Sequence, residues 1–163
     1  MTDTSTEVVD RGERRREQRG WYWYDFANSA FVTTTATVLA GPYITAVAKT
    51  AACGTSDGDC ETPLSILGLQ VSAGALYFYA ITVTTILSAL ILPVVGAFAD
   101  RSGTKKRLLA TFAWVGSFFA ALLFFVRDSN WQLGVLSMMV ASLCLGASLV
   151  VYDAILIEIA TPD

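Results

Sequence analysis

Asp100 and Arg101 stand at the end of a long apolar run, and Lys105, Lys106 and Arg107 precede the next one. Gly96 lies four residues before Asp100, and Gly103 separates the two charged groups. Residues four apart share a helix face, so Gly96 and Asp100 line up if the run is helical. A glycine there lets a neighbouring helix approach, and the carboxylate is then held against that neighbour. Unpaired amides at a helix N-terminus stabilise a carboxylate. So would Arg101, Lys105 or Arg107 of the same turn. The chemistry on offer is electrostatic pairing of a carboxylate, with no covalent bond made or broken. A plainer reading is a turn whose basic residues only set its orientation across a membrane, but glycine and acid at this spacing add nothing to that role.

Nothing else in the chain resembles catalytic machinery. There is no histidine, no phosphate-binding glycine loop and no Gly-x-Ser-x-Gly. The chain therefore reads as a non-enzyme without a cofactor, and any transport would be driven by a gradient. Cys53 and Cys60 are the only nearby pair of thiols, too few for a metal site in a chain without histidine. Asp25 and Asp153 are ionisable groups near the ends of apolar segments. Carboxylates inside a membrane relay protons; at the interface they are ordinary solvated or paired acids.

The elements that position these residues are membrane helices. The 163 residues are 54% hydrophobic and 15% charged, against about 25% charged in soluble domains. No charge occurs in residues 26–48, 62–99, 108–126 or 129–152. A bilayer core takes roughly 20 such residues per helix. The expected spans are about 24–48, 74–98, 108–126 and 131–153, after a polar tail of residues 1–20. Five of the 11 basic residues precede the first span and four lie in the turn after the second. Basic segments face the cytoplasm, so the tail, the Asp100 turn and the C-terminus are expected inside. Five acids offset the five arginines of the tail. No nucleic-acid partner is expected, and attraction to lipid headgroups suits these arginines better. The tail could continue the first helix or remain unfolded.

The run YDFANSAF, Tyr24 to Phe31, follows an interfacial aromatic cluster of Trp21, Tyr22, Trp23 and Tyr24. It resembles the opening of the first helix in vacuolar amino-acid effluxer-like transporters and their bacterial relatives. The Gly96–Arg107 segment, GAFADRSGTKKR, resembles the signature loop of the major facilitator superfamily, to which that branch belongs. The run SAGALYFYAITVTTILSALILPVVGAFAD is similar to the same branch. The resemblance covers residues 21–160, about a third of a full transporter. It implies an all-α membrane protein whose four transmembrane helices are the first four of a twelve-helix fold built from inverted three-helix repeats. It also implies secondary active transport of small solutes such as amino acids, and a gating role for Gly96, Asp100, Arg101, Gly103, Lys105, Lys106 and Arg107. At the end of the chain, Asp153 and Ile157 stand where the family pattern has Asn and Pro, so no role is carried over there.

The remaining candidates follow from these spans. Ser29, Thr33, Thr37, Gly41 and Thr45 recur every four residues in the first span. They are either a packing seam of small residues or the polar wall of a substrate cavity, to which Asp25, Asn28, Tyr152 and Asp153 could add. Gly41-Pro42 is expected to kink this helix. Residues 49–63 are expected to be an irregular outside loop, in which Cys53 and Cys60 could form a disulfide or remain two free thiols. Leu64 to Val71 would be an interfacial segment or an extension of the second helix, with Ser72 as its cap. The third span looks suited to packing and lipid contact. In the fourth, Ser142, Gly146 and Val150 form a small-residue seam, expected to await helices beyond this chain, and Cys144 is a buried, inert thiol. Only helices one and four would face a substrate. The expected setting is a multi-pass bacterial plasma-membrane protein. Its partners would be the lipid bilayer, a small-molecule substrate, and the remaining helices of a longer transporter or another copy. The expected activity is transport by that longer protein, this chain alone being inactive. The rival is a complete four-helix membrane protein acting as an assembly or regulatory subunit.

Overall fold

The computed structural model describes residues 4–56, 60, 62–66, 68–101, 103–127 and 129–159. The chain is an all-α bundle with one small hairpin. Helix α1, Thr4–Ala30, runs without a break into a wider π-helical segment, Phe31–Leu39, and then into α2, Ala40–Cys53. Strands β1, Pro63–Ile66, and β2, Leu69–Ser72, form an antiparallel hairpin. Then come α3, Leu76–Arg101, α4, Lys105–Leu122, and α5, Trp131–Ile159. Among the described residues, four helical stretches are long and apolar enough to cross a membrane: Gln18–Cys53, Ala73–Arg101, Lys105–Phe125 and Trp131–Ile155. The tail takes the helical form from Thr4 onward.

Small residues decide how these helices meet. Apolar side chains gain little from leaving lipid, so close backbone approach and van der Waals packing hold the bundle together. A Cβ on Gly146 would lie 3.4 Å from Leu92 of α3, and one on Gly96 would lie 3.5 Å from Val150 of α5. The Gly146 and Val150 positions are therefore packed against α3 within this chain. This corrects the expectation that the seam waits for helices beyond it. On another side of α5, a Cβ on Gly116 of α4 would come within 3.1 Å of the Cys144 Cβ. Ala99, Ala141, Ala147, Ser137 and Ser148 are all buried, which fits bundle packing by small groups. Outward, α4 presents Trp114 and Phe118 to the surroundings.

The segment between the first two spans departs from expectation. Lys49 to Cys53 are the last turn of α2, not loop. Gly54 closes that helix at φ 75°, its N–H donating to the Thr50 carbonyl at 2.9 Å. A left-handed residue here suits glycine. Pro63–Ile66 and Leu69–Ser72 are not an extension of α3, because they form the hairpin, with Leu64 opposite Val71 and Ser65 opposite Gln70. Gly68 turns it at φ 85°. Ser72 ends β2 and makes no side-chain cap. Leu64 packs with Ala48, Ala73 and Leu76, so the hairpin is folded down over the helix ends. Cys53 and Cys60 are joined in the structure, tying the end of α2 to the approach to the hairpin.

Candidate functional site

The Asp100 turn is built by three contacts. Gly96 lets α5 approach at Val150. Ala99, fully buried, packs with Val151 and Ile155. Asp100 and Arg101, the last residues of α3, are exposed, as are Gly103, Lys106 and Arg107. Lys105, the first residue of α4, donates from Nζ to the Ala154 carbonyl of α5 at 3.4 Å. The turn is thus fixed on one side to α5, while a carboxylate and three basic residues are exposed. Gly103 does not adopt a positive φ. A Cβ there would meet nothing within 4 Å.

Next to this turn, α1 meets α5 through aromatic rings. Trp21 stacks on Tyr152, with centroids 4.6 Å apart and planes within 9° of parallel, and Tyr24 lies 5.6 Å from the same ring. Tyr152 is buried, and the carboxylates of Asp25 and Asp153 lie beside its phenol. Three of the sequence candidates, Asp25, Tyr152 and Asp153, therefore form one cluster. The two carboxylates themselves are exposed.

The other candidates on the first helix are divided. Ala40 N–H donates to the Thr35 carbonyl, a spacing of five, and the Thr37 hydroxyl donates to the Val32 carbonyl at 2.7 Å, again five residues back. The Thr33 hydroxyl donates to the Ser29 carbonyl. A run of β-branched residues crowds four-residue winding, and π-helical turns occur most often where function needs a break in regularity. Pro42, which has no N–H to give, follows directly. Tyr77 of α3 lies across this junction. Its hydroxyl donates to the Ala36 carbonyl at 3.0 Å, and a Cβ on Gly41 would be 3.0 Å from its ring. A return from five-residue to four-residue spacing leaves a carbonyl short of a donor, and neighbouring helices supply such donors inside membranes.

Two cavities flank this helix. One, about 340 Å³, lies between α1, α4 and α5 and is lined by Tyr24, Asn28, Phe31, Phe112, Ser117 and Ser148 among others. The Asn28 amide nitrogen is shut from solvent and has no hydrogen-bond partner among the described residues. The second, about 330 Å³, lies between the π segment, α3 and α5 and includes Thr37, Tyr77, Thr84, Ser88, Met138 and Ser142. Thr84 and Thr85 have already donated their hydroxyl protons to Ala80 and Ile81, at 2.7 and 2.9 Å. So Asn28 and Thr37 line different cavities, while Ser29 and Thr33 are exposed and line neither. The regular stripe from Ser29 is not a single wall. α3 and α4 also contribute to one cavity each. Sequence reasoning missed Tyr77 and Phe112. The signal for Tyr77 was a hydroxyl-bearing aromatic on a helix that must pass a Gly-Pro step.

The family described as "Vacuole effluxer Atg22 like" matches residues 13–163. The chain belongs to this family. Autophagy-related protein 22 of Gibberella zeae is 28% identical over 159 residues, covering 90% of this chain and 24% of that protein. Autophagy-related protein 22-2 of Neosartorya fischeri is 32% identical over 110 residues, covering 68% of this chain and 18% of that protein. A Bacillus subtilis relative, described as the uncharacterized MFS-type transporter YxiO, is 27% identical over 150 residues, covering 91% of this chain and 31% of that protein. The chain thus spans about a quarter of the length of the first curated relatives it matches. No solved structure matches it. Membership in the Atg22-like effluxers, of major facilitator type, agrees with the membrane-length helices and the Gly96–Arg107 turn. It makes this an integral membrane protein of a transporter family.

Proposed function

We propose that the chain supplies the first four helices of a gradient-driven transporter of small solutes, amino acids among them, working with further helices of a longer polypeptide or of a second copy. One observation carries this reading. Gly96 and Ala99 seat the end of α3 on α5, while Asp100 is left exposed one step beyond. A carboxylate anchored in this way on rigid helices is placed to meet another element, as a latch requires. A loop that served topology alone would need no such seating. The cavities beside the π segment supply room for a solute near the middle of the bundle. Alternating access places the site at the bilayer midplane between two rocking halves.

The proposed orientation puts both termini and the Asp100 turn in the cytoplasm, because nine of 11 basic residues fall there. Reporter fusions after residues 20, 57, 104, 129 and 163 should then alternate in, out, in, out, in. A periplasmic signal at 104 would overturn the assignment. For transport itself, vesicles holding only these residues should show no gradient-driven amino-acid flux above empty vesicles. A chimera in which residues 13–163 replace the matching segment of the Bacillus relative should show it. Flux from the short chain alone would favour an oligomeric four-helix transporter. An inserted chimera without flux would remove the transport reading.

A further inference from the structure

We propose that the cavity between α1, α4 and α5 binds a small neutral solute through a carbonyl oxygen, which the side-chain amide of Asn28 receives. Two independent features meet there. The amide nitrogen of Asn28 is sealed from solvent with no partner among the described residues, and Asn28 lines a cavity of about 340 Å³. Buried polar groups are paired as a rule, and the exceptions call for a cause. A cavity of this size lies at the lower end of those that hold small ligands, about 300–1,000 Å³.

The walls set the chemistry. Phe31 and Phe112 offer aromatic surface, and Gly116 and Ala120 leave room beside it, so the body of the ligand is compact and apolar. Ser148 has already donated its hydroxyl proton to the Leu145 carbonyl at 2.8 Å, and does not compete with Asn28 as a donor. What the ligand must bring to the amide N–H is therefore an acceptor oxygen. Neither lysine nor arginine lines the cavity among the described residues. A carboxylate would thus enter an apolar space without a counter-charge, at high cost. A neutral carbonyl meets the amide without that cost. Calling this ligand a transported substrate rests on the transport reading above; its binding does not.

Three solutes with one branched apolar body test the proposal: isovaleramide, isovalerate and isoamylamine. Binding is measured calorimetrically on the full 163-residue chain in lipid nanodiscs, beside its thermal midpoint. Isovaleramide is expected to bind, isovalerate at least tenfold more weakly, and isoamylamine not at all. Asn28→Ala should weaken isovaleramide binding at least tenfold without lowering the midpoint of the unliganded chain, since that amide nitrogen has no bond to lose. Ala120→Leu, which fills the cavity and spares the amide, should also abolish binding. Isoamylamine binding as tightly as isovaleramide would overturn the proposal. So would undiminished isovaleramide binding to Asn28→Ala, or no binding of it by the parent chain. Isovaleramide binding without flux in the chimera leaves the site standing and removes the transport reading. Amino-acid flux with isovaleramide binding unaltered by Asn28→Ala does the reverse.

Discussion

Tyr77 closes over Gly41. A methyl group on that glycine would stand 3.0 Å from the ring, while the hydroxyl at the far end of the ring donates to Ala36 on the same helix. One side chain of α3 thus spans the junction at which the first helix returns to ordinary winding. Tyr77→Phe keeps the ring and loses the hydroxyl, and should cost about 1 kcal/mol of stability in detergent, typical of an interhelical hydrogen bond in a membrane. Gly41→Ala should destabilise the parent but not a Tyr77→Ala background, because the clash partner is then gone. Equal effects in both backgrounds would place the cost in the helix itself.

Gly116 and Cys144 set the spacing of α4 and α5. The Cys144 Cβ, 3.1 Å from where a methyl on Gly116 would stand, cannot swing away as the tip of a long side chain could. Gly116→Ala should therefore cost about 1–3 kcal/mol, the range for overpacking a close interface. Cys144→Gly in the same chain should restore most of the loss. Denaturation in mixed micelles reads both, and failure of the second change to rescue the first would place the strain elsewhere.

Asp100 matters for movement more than for stability if it acts as a latch. In the chimera with the Bacillus relative, Asp100→Asn keeps the size and removes the charge. Its exposed position predicts little change in thermal midpoint. The expected result is slower transport with solute binding retained. Binding and transport falling together would point to a folding defect.

The bond between Cys53 and Cys60 should be detected by alkylation before and after reduction. In denaturant without reductant, only Cys144 among the three cysteines is expected to react. Replacing both with alanine should loosen amide-exchange protection in the Pro63–Ser72 hairpin and spare α4, which lies outside the tied segment. Labelling of all three cysteines without reductant would remove the bond.

How much of this was legible in the sequence follows from the length scale of each signal. Uncharged runs of about 20 residues mark membrane helices independently of any partner, and the helices fall where those runs do. Gly96 also read correctly as a point of close helix approach, because one turn is a local relation, whereas Asp100, expected against that neighbour, is exposed. The hairpin did not. Leu64, Ser65 and Ile66, then Leu69, Gln70 and Val71, alternate as strands do, and Gly68 marks the turn between them. The stretch was masked by its overall apolarity, which continues into α3. The two cavities were also out of reach, since Asn28 and Thr37 are separated by a change of winding that regular four-residue spacing conceals. Gly146 read as a seam for an absent neighbour because nothing in sequence pairs it with Leu92.

The wide winding of Phe31–Leu39 has a geometric consequence for everything beyond it. A helix that takes up extra residues in broader turns holds slack. Tightening one such turn to ordinary spacing, with the chain length unchanged, would rotate the outer part of the helix by about one residue, roughly 100°. The inner part, pinned by the Trp21–Tyr152 stack, would stay where it is. Thr37 and Ile44, which now share a cavity with Tyr77, would be re-aimed by that twist while the helix shifted only slightly along its axis. The first span can therefore be read as a stem and a dial, with the threonine-rich stretch as the bearing between them.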